Sequence, residues 1–157
     1  MNKRFVGVYW LMLFFVVKSI AQQPIYNVSI DGYQQLLQAV DSASRTRKHV
    51  LVQVGGNWCP WCIRFHQFCK NVPQIDSILK SAYVYVLLNY SRENKNERAL
   101  EWLEYPQRFG FPVLVVLDTK GRRIHTQDSG LLEKEKSYDT LKVFTFLKNW
   151  TPTAIKP

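Results

Sequence analysis

Cysteine is scarce in this chain: three residues in 157, at Cys59, Cys62 and Cys69. A scaffold stapled by disulfides carries more of them, and an even number, so these three do not hold the chain together. No apolar run reaches the roughly 20 residues that a membrane-spanning helix needs. Acidic residues are outnumbered, 12 against 21 basic ones, yet the basic residues are scattered. Scattered charge makes a solvated surface and excludes a nucleic-acid module. The sequence also has no phosphate-cradling glycine loop, no Ser-His-Asp arrangement, no paired-carboxylate signal and no internal repeat. What it does have is 46% apolar and 14% aromatic residues, enough for one packed domain and too many for a disordered chain.

The N-terminus carries targeting anatomy. Lys3 and Arg4 precede an apolar run from Phe5 to Val17, and Ser19-Ile20-Ala21 supplies small residues where a signal peptidase reads. Residues 1–21 are expected to be a cleaved secretory signal; an uncleaved anchor is the alternative. No cysteine directly follows the run, so no lipoprotein attachment site is present. Cleavage would remove Lys3, Arg4 and Lys18 and no acids, leaving a milder basic excess. Residues 22–157 are then the domain, exported to a periplasm or other extracytoplasmic space.

The centre of that domain is Trp58-Cys59-Pro60-Trp61-Cys62. It follows the apolar run Val50-Leu51-Val52-Gln53-Val54 and Gly55-Gly56, and precedes a helical stretch to Lys70. A Cys-x-x-Cys pair between strand and helix is an arrangement that makes and breaks disulfides. At a helix N-terminus, unpaired N–H groups and the helix dipole favour an anion. This lowers the thiol pKa of Cys59 from roughly 8.5 towards neutral and makes it the nucleophile. Cys62, one turn on, can resolve a mixed disulfide by attacking the Cys59 sulfur. Pro60 lacks an N–H and suits the first helical turn.

Trp-Cys-x-x-Cys after an apolar strand resembles the thioredoxin superfamily, and so does Arg108-Phe109-Gly110-Phe111-Pro112 followed by the strand Val113–Leu117. Lys120-Gly121-Arg122-Arg123-Ile124 resembles the family's turn and last strand. The resemblance covers residues 30–150. It implies an α/β, thioredoxin-like fold: a central mixed sheet with helices on both faces. It also implies a cis Pro112 facing the cysteines and, with Phe111, presenting a substrate backbone. Trp58, Pro60 and Trp61 would complete the substrate contact, the two tryptophans as an apolar platform. The activity implied is exchange of disulfides with protein thiols or disulfides, more as a reductase than an oxidase. It calls for no cofactor beyond the Cys59–Cys62 disulfide and no nucleic acid; a monomer is expected, fed by a membrane-bound electron donor. Gln53 departs from the pattern: many thioredoxins carry a buried acid there, and an amide cannot titrate. Pro60-Trp61 resembles the proline–aromatic pair of glutaredoxins, without a glutathione-binding pattern.

Around these motifs, residues 22–27 read as a frayed lead-in. Asp31 caps a helix over Tyr33–Ser44 with Tyr33, Leu36, Leu37 and Val40 inward. Strands are expected at Val50–Val54, Tyr83–Leu88, Val113–Leu117 and Arg122–Thr126, the last two as a hairpin about an Asp118–Gly121 turn. Helices are expected over Pro60–Lys70, from Pro73 through Leu79, over Glu97–Tyr105 until Pro106 stops it, and over Tyr138–Trp150. The last turns Leu141, Phe144, Leu147 and Trp150 to the core. Cys69 lies two turns after Cys62, about 10 Å along an intact helix, beyond disulfide reach; it reads as a buried small apolar residue. His66 shares a face with Cys62. Two rival readings follow: a metal-handling protein using Cys59, Cys62 and His66, and a non-catalytic peptide-binding module.

Overall fold

The computed structural model describes residues 23–155, so the expected signal segment lies outside the described residues. The organising element is β1 (His49–Gly55), all seven residues of which are buried. It is buried on both faces because it is central. β1 pairs in parallel with β2 (Tyr83–Asn89), Val50 opposite Val84, and antiparallel with β3 (Val113–Leu117), Val52 opposite Val115. β4 (Arg123–Asp128) adds an antiparallel edge, giving the order β2-β1-β3-β4. Such strands read as continuous apolar runs, as β1 and β3 do.

Alternation along β1 sorts the two cores. Val50, Val52 and Val54 meet α1 (Gly32–Thr46) and α4 (Glu97–Trp102) on one face. Leu51 turns to the other face, under α2 (Pro60–Asn71), α3 (Pro73–Ala82) and α5 (Thr140–Asn149). Phe65, Ile75 and Leu147 are fully buried there, each contributing on the order of 1.5–3 kcal/mol by burial. This is the mixed sheet with helices on both faces that the sequence implies.

Several local expectations are corrected. The buried stripe of α1 is Gly32, Leu36, Ala39 and Ala43, with Tyr33 and Val40 half-buried against the core as expected, while Leu37 is exposed. Small residues let α1 approach the sheet: a Cβ on Gly32 would overlap the Leu88 side chain. α4 ends at Trp102, short of Tyr105, because Glu104 and Tyr105 turn left-handed ahead of a 3-10 turn over Pro106–Phe109. A second 3-10 turn (Ser129–Leu132) leads into a small hairpin, β5 (Glu133–Lys134) and β6 (Ser137–Tyr138), which the sequence did not announce. β6 takes Tyr138, so α5 starts at Thr140, capped by the Asp139 carboxylate on the Leu141 and Lys142 N–H groups. Its fully buried residues are Val143, Phe146 and Leu147, with Phe144 and Trp150 half-buried against the same core as expected; Leu141 is 72% exposed. The lead-in is not frayed either: Tyr26 is 2% exposed.

Candidate active site

Strand β1 ends at the glycine pair, and the chain turns directly into α2. Gly55 is there for space: a Cβ would overlap Cys62 Sγ and stand 2.8 Å from the Tyr26 hydroxyl. Cys59 is the N-cap of α2 in extended conformation, with Pro60 in the first turn. Its Sγ accepts the Cys62 N–H at 3.1 Å, one of the donors a helix start leaves unpaired. Cys59 and Cys62 are joined as a disulfide, Cα atoms 5.3 Å apart, within ordinary disulfide geometry. Cys59 is 4% exposed and Cys62 is completely buried, so an incoming sulfur has access from the Cys59 side.

The Phe111–Pro112 peptide is cis and opens β3, and Phe111 packs against the cluster formed by Tyr26, Cys59 and Cys62. Trp58 is 54% exposed. Its ring meets Phe111 edge-on at 5.2 Å, and its Nε1 donates to the Tyr90 carbonyl at 2.7 Å. Tyr90 stacks on the same Phe111 at 5.1 Å. These three rings form one aromatic wall beside the disulfide. A cleft of about 560 Å³ adjoins it, lined by Val28, Asn57, Trp58 and Tyr90 with Arg92 and Lys95. Trp61 also packs on the cysteine cluster but turns to its other side, edge-on to Tyr138 at 5.5 Å, with the Arg64 guanidinium 4.6 Å over its ring. The two tryptophans therefore serve different sides of the site.

Beneath the disulfide lies a polar network. Gln53, fully buried, donates from Nε2 to the Cys62 carbonyl at 2.9 Å and to the Tyr26 hydroxyl, and accepts the Tyr85 hydroxyl at Oε1. Burial pushes the Tyr26 and Tyr85 hydroxyls well above the usual tyrosine range. Asn57 latches the lead-in: its Oδ1 accepts the Ile25 and Tyr26 N–H groups at 2.9 Å, and its Nδ2 donates to the Tyr26 carbonyl at 2.8 Å.

His66 lies against Tyr85, ring centroids 6.0 Å apart. Burial, then the nearby Lys70, holds its imidazole below the usual histidine range. Cys69 is buried and free, with burial and then Asp76 pushing its thiol up. Among the described residues, no group of three or more His, Cys, Asp or Glu side chains is gathered so that it could hold a metal ion.

Sequence reasoning missed Tyr26, Asn57, Tyr85 and Tyr90. Asn57 stands two residues before Cys59, and that adjacency was the one available signal. Tyr26 makes its contacts 27 and 31 positions away, where no periodicity points.

Three comparisons bear on what this arrangement is. A family described as a thioredoxin-like domain matches residues 36–145. Among solved structures, the disulphide isomerase from Xylella fastidiosa Temecula1 is similar with a TM-score of 0.72 at 21% identity, over 82% of this chain and 98% of that one. A structure described as DsbH oxidoreductase is similar with a TM-score of 0.55 at 16% identity, over 76% of this chain and 82% of that one. At these identities the structural likeness speaks for the fold. No curated protein matches the chain. The family match spans β1, the cysteine pair at the head of α2 and the cis-proline loop, and the chain accordingly belongs to the thioredoxin-like domain family.

Proposed function

We propose that the protein is an exported oxidoreductase that reduces disulfides in protein substrates, with Cys59 as nucleophile and Cys62 as resolving cysteine. The observation that carries it is the position of Cys59: its sulfur caps α2, accepts the Cys62 N–H at 3.1 Å and borders the aromatic wall. Reduced, Cys59 is a thiolate favoured by the helix N-terminus. It attacks a substrate disulfide; one substrate sulfur leaves with the electron pair and takes up a proton. Cys62 then attacks Cys59 Sγ, frees the second substrate sulfur and closes the disulfide seen here.

Pro112, Phe111 and Trp58 hold the substrate chain beside the sulfur, with Pro60 at the rim and Trp61 on the Tyr138 side. The disulphide isomerase and the oxidoreductase among the similar structures agree with disulfides as the group acted on, and the exposed aromatic wall beside Cys59 suits a polypeptide that carries them. The only redox group required is the Cys59–Cys62 pair itself. Export is supported by the charged, apolar and small-residue order of residues 1–21. An exported reductase working as a monomer needs electrons from a membrane-bound donor.

The test is insulin reduction. Cys59→Ser is expected to abolish turnover. Cys62→Ser is expected to keep the first attack and accumulate mixed disulfides, visible by mass. An unchanged rate in Cys59→Ser would sink the reading. Partner binding that survives loss of both cysteines, without any turnover, would instead favour the peptide-binding module.

A further inference from the structure

Where many thioredoxins carry an acid, this chain has Gln53, and among the described residues the one buried carboxylate is Asp118, far from the site in the β3–β4 turn and paired with Arg122. The Cys62 sulfur, completely buried, must nevertheless become an anion to resolve a mixed disulfide. Burial alone opposes that, as it does for Cys69 in the same helix. Some group has to compensate.

The hydrogen-bond directions identify it. The Cys62 carbonyl can only accept, so the nitrogen end of the Gln53 amide lies there, at 2.9 Å. The Tyr85 hydroxyl donates to the other end, Oε1, which fixes the amide from both sides. The second Nε2 hydrogen goes to the Tyr26 oxygen. Tyr26 is thereby an acceptor towards Gln53 and keeps its own hydroxyl hydrogen, which has no acceptor among the described residues. Tyr26 packs in one cluster with Cys59 and Cys62. Its oxygen and Cys62 Sγ converge on the same point, the space above Gly55 that a Cβ would fill.

We propose that Tyr26 donates a hydrogen bond to the Cys62 sulfur when that sulfur is a thiolate, and that Gln53, held by Tyr85, positions Tyr26 to do so. The inference rests on the exchange reading above and deepens it. In the step served, Cys62–SH and the Cys59–substrate disulfide become the Cys59–Cys62 disulfide and a substrate thiol. The Cys62–Cys59 bond forms, the Cys59–substrate bond breaks, and the electron pair leaves on the substrate sulfur, which ends with the proton that Cys62 loses. Tyr26 keeps its own proton throughout, consistent with the burial that holds its hydroxyl protonated. The other titratable groups facing this pocket are Cys59, Tyr85 on β2 and Tyr138 on β6, with His66 against Tyr85; Lys70 and Asp76 stand further along, at His66 and Cys69.

The experiment is a single-turnover reaction of the reduced protein with a chromogenic aromatic disulfide, across pH. Attack by Cys59 releases the first aromatic thiolate and resolution by Cys62 the second. In Tyr26→Phe, which removes one oxygen, the first release is expected to be unchanged. The second is expected to slow about tenfold at neutral pH and to recover at alkaline pH, a displacement of about one unit. A second release that matches the wild type at every pH, or that slows equally at every pH, overturns the proposal. Absence of even the first release in the wild type would be a failure of the exchange reading instead. If Tyr26→Phe does not fold, a carbon-13 titration of the cysteine Cβ atoms in the reduced wild type decides. Cys62 titrating below Cys69 supports the inference; Cys62 titrating as high as Cys69 overturns it.

Discussion

Asn57 does by side chain what a neighbouring strand would do by backbone. It accepts two N–H groups and donates to one carbonyl of residues 25 and 26. Each such bond contributes about 1 kcal/mol net, so Asn57→Ala is expected to weaken the attachment of the lead-in by about 2–3 kcal/mol. The measurement is amide hydrogen exchange: Ile25 and Tyr26 should exchange faster, while β1 stays protected. Unchanged exchange at those two amides would show that burial of the Tyr26 ring alone holds the segment. The same residues show why part of the site was legible in the sequence and part was not. Cys59, Cys62 and Pro112 act through local order, a spacing and a strand start, and local order is what a sequence displays. Tyr26, Asn57 and Gln53 act through contacts between distant segments, and their residue types give no sign of partners. Gln53 was noticed for the acid it replaces; its three bonds became visible only with Tyr26 and Tyr85 beside it.

At the scale of elements, helix position was readable and helix rotation was not. In α5, reading by bulk turned Leu141, Phe144 and Leu147 inward. The packed face is centred on Val143, Phe146 and Leu147, with Phe144 and Trp150 half-buried at its margins, so that only Leu141 was misplaced. In α1 the stripe is built of Gly32, Ala39 and Ala43 around Leu36, small residues that a search for large ones passes over. The strands suffered less, since β1 and β3 are buried on both faces and have no face to misassign. The two leucines of α5 give a direct check by urea unfolding. Leu147→Ala removes a fully buried side chain from the core under α2 and α3 and is expected to cost about 2–5 kcal/mol. Leu141→Ala, at 72% exposure, is expected to stay within about 0.5 kcal/mol of the parent. Comparable losses at the two positions would mean that α5 packs on the other face.

For the molecule as a whole, redox direction and folding stability are two sides of one cycle. Whichever redox state folds more stably is the state the protein favours, and the reduction potential moves with the difference. Oxidants stabilise the reduced form by supporting the nucleophilic thiolate with nearby cations as well as a helix start. Here Cys59 Sγ receives one hydrogen bond, from the Cys62 N–H, and Pro60 and Trp61 between the cysteines bring no charge. The Arg64 guanidinium, in the first turns of α2, lies over the Trp61 ring. The helix N-terminus is therefore the main support of the Cys59 thiolate, which favours the disulfide state and agrees with the proposed reductase direction. The oxidised protein is expected to melt above the reduced one, and equilibration with glutathione or dithiothreitol to give a potential near or below about −250 mV. A potential of about −120 to −180 mV, with the reduced form melting higher, would reverse the direction and make the protein an oxidant or isomerase. The low value has a consequence outside the chain. Under the proposed export, a donor at that potential would be emptied by each substrate without being refilled by an oxidising compartment, and the proposed membrane-bound donor would supply its electrons.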